Sequence, residues 1–278
     1  MSNVSLPGGA RLAITVQFLT ELWATSGNLP DSVYPNRCLG ATRDYGVKEG
    51  APRILGILKK HNVKSTAMFS GLVCERFPEL VRTIADDGHE IAGHGWDQSK
   101  YTYKNTREEE HEIIKKCTHL LESASGRKPL GWGSPGRSLT DNTLDLLAEE
   151  GYVWNGDLND TELPYPVKAG GKTIMMVPQG SVTMDLEEFV LFDREGHRQT
   201  LRGAREALDF MMGQFEACYS QATPKAPLRM TIGCHAFVAG HPDYTWALDK
   251  FITHAKGFKD VVFLTNLETA QWWLKNCL

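Results

Sequence analysis

Two histidines in this chain each stand where an apolar run ends. Gly88-His89-Glu90-Ile91-Ala92-Gly93-His94 sets a short strand between two histidines, and Met230-Thr231-Ile232-Gly233-Cys234-His235 closes a second strand on another. Period-two alternation puts His94 at or just past the C-terminal end of its strand and His89 at the opposite end. A lone histidine is most often structural. Two at strand ends can bind a metal, polarise a carbonyl or shuttle a proton to a leaving nitrogen, and amide hydrolysis uses all three.

Carboxylates occur in comparable places. Asp157-Leu158-Asn159-Asp160-Thr161-Glu162 follows a strand ending at Trp154, and such a cluster is either a base or orienter, or an Asx-rich solvated turn. Glu21 lies just past the first strand, and Gln17 is a polar residue inside it, expected to face an interior. Trp96, Trp132 and Trp154 can wall a pocket, although aromatic residues beside strands are more often core. Cys234, directly before His235, is weighed as a nucleophile against a buried strand cysteine.

The elements that must position these groups alternate. Apolar, β-branched runs are predicted as strands at Leu12 to Leu19, Ser65 to Phe69, Glu90 to Ala92, Leu130 to Trp132, Tyr152 to Trp154, Thr173 to Val177, Arg229 to Cys234 and Val261 to Leu264. Helical periods fall near Ala51 to His61, Phe77 to Asp87, Glu108 to Ser125, Asn142 to Glu150, Leu201 to Cys218, Trp246 to His254 and Leu267 to Leu274. A long Gly/Pro-containing loop follows the first strand through Gly40, and an irregular acidic stretch precedes Leu201. This alternation is that of βα units around a parallel sheet, so the expected fold is α/β, a distorted (β/α) barrel of about seven strands. In such a barrel the βα loops at the C-terminal ends of the strands carry the site.

The chain has 278 residues, 41% of them hydrophobic. That length suits one barrel domain over residues 1–278, with no repeat and no linker long enough to separate a second domain. A formal net charge of −4 with mixed signs and no basic block argues against nucleic acid as a partner. Met1 to Gly9 lacks the basic and apolar segments of a secretory signal, and no run reaches membrane-span length, so a cytoplasmic protein without a membrane partner is expected. The six cysteines (Cys38, Cys74, Cys117, Cys218, Cys234, Cys277) are scattered without C-x-x-C spacing, as reduced thiols would be.

With these motifs the chain resembles the polysaccharide deacetylase (NodB-homology) superfamily, especially its branch of metal-independent bacterial allantoinases and related cyclic imidases. Gly88 to Trp96 looks like the family's second motif. Ser134-Pro135-Gly136 to Tyr165 looks like a stretch of the allantoinase branch, and Cys234-His235 through Gly240-His241-Pro242 looks like its terminal histidine motif. The resemblance implies a hydrolase opening a small cyclic amide, ureide or imide. Typical deacetylases carry two aspartates at the end of the first strand and two histidines four residues apart in the second motif. Here Val16-Gln17-Phe18-Leu19-Thr20-Glu21 stands in the first place, and Gln98 stands four residues after His94. A zinc site wants three or four His, Cys, Asp or Glu ligands, so no metal is expected, with zinc through Glu21 or Asp97 left open.

The candidate catalytic residues are therefore His94, His235, Glu21 and Asp160. The candidate substrate contacts are Gln17, Trp96, Gln98, Ser134, Trp154 and Asp157. A metal-dependent deacetylase of N-acetylated sugar or peptidoglycan and a non-catalytic metabolite-binding barrel are the alternatives. The resembled branch and the long irregular stretch Gly180 to Arg202 also imply a homo-oligomer.

Overall fold

A computed structural model describes residues 4–23, 42–98, 100–184, 190–192, 198–200 and 203–277. The loop expected through Gly40, including Cys38, falls largely outside them, as do segments of the stretch Gly180 to Arg202.

The chain begins with β1 (Leu12–Thr20) and then α1 (Ala51–His61), β2 (Thr66–Phe69), α2 (Gly71–Arg76), α3 (Pro78–Asp86) and β3 (Glu90–Gly93). Next come α4 (Arg107–Ser125), β4 (Gly131–Trp132), α5 (Thr143–Glu149), β5 (Trp154–Asn155), β6 (Tyr165–Ala169), β7 (Lys172–Met176) and β8 (Ser181–Met184). The short β9 (Val190–Phe192) and β10 (Arg198–Thr200) pair only with each other. The chain ends with α6 (Ala204–Gln221), β11 (Leu228–His235), α7 (Ala236–Ala239), α8 (Pro242–Ala255), β12 (Val261–Phe263) and α9 (Asn266–Asn276).

The main sheet runs β6-β7-β5-β4-β3-β2-β1-β11-β8, with β12 beside the start of β1. Its pairings are parallel except β6 against β7. The sheet curls into the expected distorted (β/α) barrel and stays open between β8 and β6, which are not paired. Two strands of the main sheet depart from the sequence expectation. β6 forms a hairpin with β7 across Gly170-Gly171, whose φ values of 54° and 74° suit a two-residue hairpin turn. β8 adds a parallel strand where an irregular stretch was expected.

Strand alternation divides the interior in two. On β1, Leu12, Ile14, Val16 and Phe18 face the surrounding helices, and so do Ala67 and Phe69 on β2 and Met230, Ile232 and Cys234 on β11. The opposite face of the same strands points into the barrel, where Ala13, Leu19, Met68, Ala92, Trp154 and Met175 form a second cluster. The C-terminal helix α9 fills the lower end of that space with Ala270 and Trp273. Its N-terminus is held by a capping box between Thr265 and Glu268. Asn266 Nδ2 then donates to Gln17 Oε1 at 3.0 Å, and the Leu267 N–H donates to Glu90 at 3.0 Å. The apolar plug leaves the polar residues at the upper strand ends as the lining of a cavity.

Candidate active site

The residues above the plug line a cavity of about 260 Å³. β1 sends Gln17, Leu19 and Glu21 into it by alternation, and Leu19 lies in register with His235 at the end of β11. His94 follows β3, Gly133 and Ser134 follow β4, and Trp154 and Asp157 come from β5 and the residues after it.

At its centre Glu21 is enclosed by basic groups. His94 Nε2 lies 3.2 Å and His235 Nε2 3.6 Å from Glu21 Oε1, while Arg43 donates to Oε2 at 3.2 Å. The Arg43 guanidinium also stacks on the rings of Trp23 and Phe237, at 4.3 and 3.5 Å. Burial alone would raise the Glu21 pKa. The opposing charge of His235, the hydrogen bond and charge of His94, and Arg43 together outweigh it and hold the carboxyl at about 2. Glu21 is therefore an anion at any working pH, and too weak a base to deprotonate water unaided.

His94 is oriented from both sides. Nδ1 lies 2.7 Å from the Gly133 carbonyl, which can only accept, so Nδ1 carries a proton. Nε2 faces the Glu21 carboxylate at 3.2 Å, so the ring bridges the Gly133 carbonyl and Glu21. His235 Nε2 lies within ion-pair distance of Oε1 but beyond a direct hydrogen bond.

Asp157 has a different role. The Ser134 N–H donates to Oδ1 at 2.6 Å, and the Ser134 hydroxyl and Asn155 Nδ2 donate to Oδ2 at 2.7 and 2.8 Å. Burial still pushes its carboxyl up against these bonds. Asp157 thus ties the β4 and β5 ends together beside His94.

Two expected site residues lie elsewhere. Asp160 is exposed and accepts from Tyr165 at 2.8 Å, because the chain turns outward after Asp157. Trp96 faces the helices. Gly95, at φ 67°, reverses the chain after His94, and the indole donates to Glu75 at 3.2 Å with Lys116 3.6 Å from its ring centroid. The Asp160→Ala and Trp96→Phe variants should therefore keep turnover within about twofold of wild type, measured at saturating substrate, since neither touches the cavity. A large loss in either would move the site. Gln17, Gln98, Ser134, Trp154 and Asp157 line the cavity with Glu21, His94 and His235.

Cys234 sits fully buried on the helix-facing side, one residue out of phase with His235, so it cannot reach the cavity. His89 lies at the far strand end, where the Ser65 N–H donates to its Nδ1 at 3.1 Å and burial, then Lys64, pull its pKa down to about 4. Sequence patterning does not single out Arg43, Trp23, Tyr101, Arg137 and Gln179, all in the lining. None lies at a strand end with a periodic signal. The one available clue is Gly136-Arg137, next to the Ser134-Pro135 pair.

The donor set does not fit a zinc ion. Glu21 is already compensated by Arg43, and the Asp157 oxygens are taken by Ser134 and Asn155. Gln98 contributes an amide whose nitrogen is bonded to the His94 carbonyl oxygen. Among the described residues no three His, Cys, Asp or Glu side chains are grouped to hold a metal.

Residues 32–154 match the family model described as polysaccharide deacetylase, a span that includes the His94 and Ser134 segments. Over 254 residues the chain is 23% identical to the peptidoglycan deacetylase of Helicobacter pylori, covering 81% of this chain and 84% of that protein. A Mycobacterium smegmatis crystal structure named for the polysaccharide deacetylases superposes with a TM-score of 0.84 at 25% identity, covering 98% of this chain and 93% of that one. The crystal structure of Puue allantoinase superposes with a TM-score of 0.79, also at 25% identity, covering 97% and 92%.

Proposed function

From the premise that this chain has the fold and sequence signature of the polysaccharide deacetylase superfamily, we propose that it is a metal-independent hydrolase of a small cyclic amide, ureide or imide. The observation that carries the reading is the Glu21 carboxylate held between two histidines and an arginine, in a cavity sized for one small ring. In this mechanism a water bridging Glu21 and His235 gives its proton to His235 Nε2 as its oxygen attacks the carbonyl carbon. Glu21 stabilises the imidazolium that forms, and His235 returns the proton to the ring nitrogen as the C–N bond breaks. The products are a carboxylic acid, which ionises, and the free amine or amide nitrogen.

The lining is complementary to a ring carrying alternating C=O and N–H groups. Asn266 occupies the Gln17 oxygen, which leaves the Gln17 NH₂ as a donor. Trp23 Nε1 is a buried donor without a partner among the described residues. Gln98 spends its nitrogen on the His94 carbonyl and keeps its oxygen as an acceptor. A donor that pairs with a carbonyl oxygen strengthens as negative charge develops there, which is the form of help amide hydrolysis needs.

A panel of allantoin, hydantoin and succinimide tests the reading. Turnover of at least one is expected, with the rate unchanged after a strong chelator and bound transition metal far below one per chain by elemental analysis. Stoichiometric metal with chelator-sensitive turnover would instead favour the second reading, a metal-dependent deacetylase of N-acetylated sugar, which draws support from the Helicobacter pylori relative. No turnover of any amide would favour a binding barrel. The scattered cysteines, without C-x-x-C spacing, support a reducing, cytoplasmic setting. Among the described residues no helix is long and apolar enough to cross a membrane. The length of the stretch Gly180 to Arg202 supports a homo-oligomer.

A further inference from the structure

The charged groups lining the cavity are not all paired with one another. Glu21 is matched by Arg43, and Asp157 is enclosed by neutral donors. Arg137 is a fourth charged group in the lining, and among the described residues its side chain donates to the neutral Gln179 amide oxygen. Among the described residues it has no carboxylate partner.

Its backbone is held in an unusual state. Arg137 has φ 53°, one of two non-glycine residues with positive φ among those described, and Gly136 before it has φ 57°. A non-glycine residue in this region costs energy and persists where the surroundings impose it. Here the Arg137 N–H donates to the Ser134 carbonyl at 3.0 Å and the Ser138 N–H to the Pro135 carbonyl at 3.1 Å. The Thr102 N–H donates to Ser138 Oγ at 2.9 Å, and the Tyr101 ring packs on Gly136. The turn that carries Arg137 is thus fixed to the same Ser134 that Asp157 binds. A guanidinium has five N–H donors in a planar fork, and Gln179 accepts from one nitrogen, so donors remain for a ligand.

We propose that Arg137 is a carboxylate subsite of this cavity, binding an anionic ligand through the fork of its guanidinium. This rests on the reading of the cavity as a ring-amide site. Hydrolysis of a cyclic amide always creates a carboxylate, because water adds to the acyl carbon as the C–N bond breaks and the acid then loses its proton. The anion at Arg137 can be that new group, or a carboxylate already borne by the closed ring.

Binding without turnover tests it, using the Trp23 and Trp154 fluorescence or calorimetry at low ionic strength. Two pairs separate the sources: succinamate against succinamide for the opened acid, and hydantoin-5-acetate against hydantoin for the closed ring. Wild type should bind the carboxylate of at least one pair about 10-fold more tightly than its neutral analogue, the size of a charge-assisted contact. The Arg137→Gln variant should lose that preference with an unchanged unfolding midpoint, and Arg137→Lys should keep some of it. Equal binding within both pairs, no binding of any of the four, or a preference that survives Arg137→Gln would each overturn the proposal. Because the readout is affinity, failure to turn over any cyclic amide leaves this result separately interpretable.

Discussion

Glu21→Gln should lower turnover by about 10³- to 10⁴-fold, the loss typical when the carboxylate that orients a catalytic histidine is made neutral. The substitution keeps the shape and removes the charge that His94, His235 and Arg43 all face. It also removes the carboxylate charge that the buried Arg43 guanidinium meets at 3.2 Å. The pH dependence separates charge from packing. The Glu21 carboxyl is held at about 2, below the ordinary 4.5, so the folded state binds fewer protons than the unfolded one in that interval. Stability from this group is complete above about pH 4.5 and is lost as the pH falls towards 2, to a total of roughly 3 kcal/mol. Chemical unfolding curves taken from pH 7 down to pH 2 should therefore fall more steeply on the acid side for wild type than for the variant. Parallel profiles would mean that the ion cluster is not what Glu21 contributes.

The second large effect belongs to the histidines. His235→Ala should reduce turnover by about 10²- to 10³-fold, because it removes the group placed to take and return the proton. His94→Ala should cost a similar factor. It should also cost roughly 1–3 kcal/mol of stability, since the ring is buried and bridges Gly133 and Glu21. At the sequence level both histidines are expected to be dispensable for folding, and burial of both beside Glu21 changes that expectation. His89→Ala should behave in the opposite way, with normal turnover and lost stability, as it removes the acceptor for the buried Ser65 N–H. Rates and unfolding midpoints for the three variants decide the matter. Near wild-type turnover in His235→Ala would remove it from the mechanism.

The strands, their parallel order and the ends that carry function are local properties. Period-two runs such as Leu12 to Leu19 and Arg229 to Cys234 are legible one residue at a time, and the same alternation that buries Phe18 and Cys234 against helices turns Glu21 and His235 inward. For this reason Gln17, Glu21, His94 and His235 stand out from the order of residues alone. The Gly170-Gly171 hairpin is equally local but less legible, because Pro166 interrupts the β6 run and Thr173 to Val177 reads as a strand without a partner.

What the sequence by itself determined is that Gln17, Glu21, His94 and His235 stand at or near strand ends on one face, since that follows from alternation. Only the tertiary structure decided which of them act together. Asp157 turns in to Ser134 while Asp160, three residues on, turns out, and Gly95 sends Trp96 away from the cavity that His94 enters. Arg43 reaches Glu21 across 22 residues, and Asn266 reaches Gln17 across 249. The charge state of Glu21 depends on those partners, not on its neighbours in the chain. Electrostatic and hydrogen-bonding energies fall off within a few ångströms of space, and sequence separation carries no information about that distance once the chain has folded back on itself.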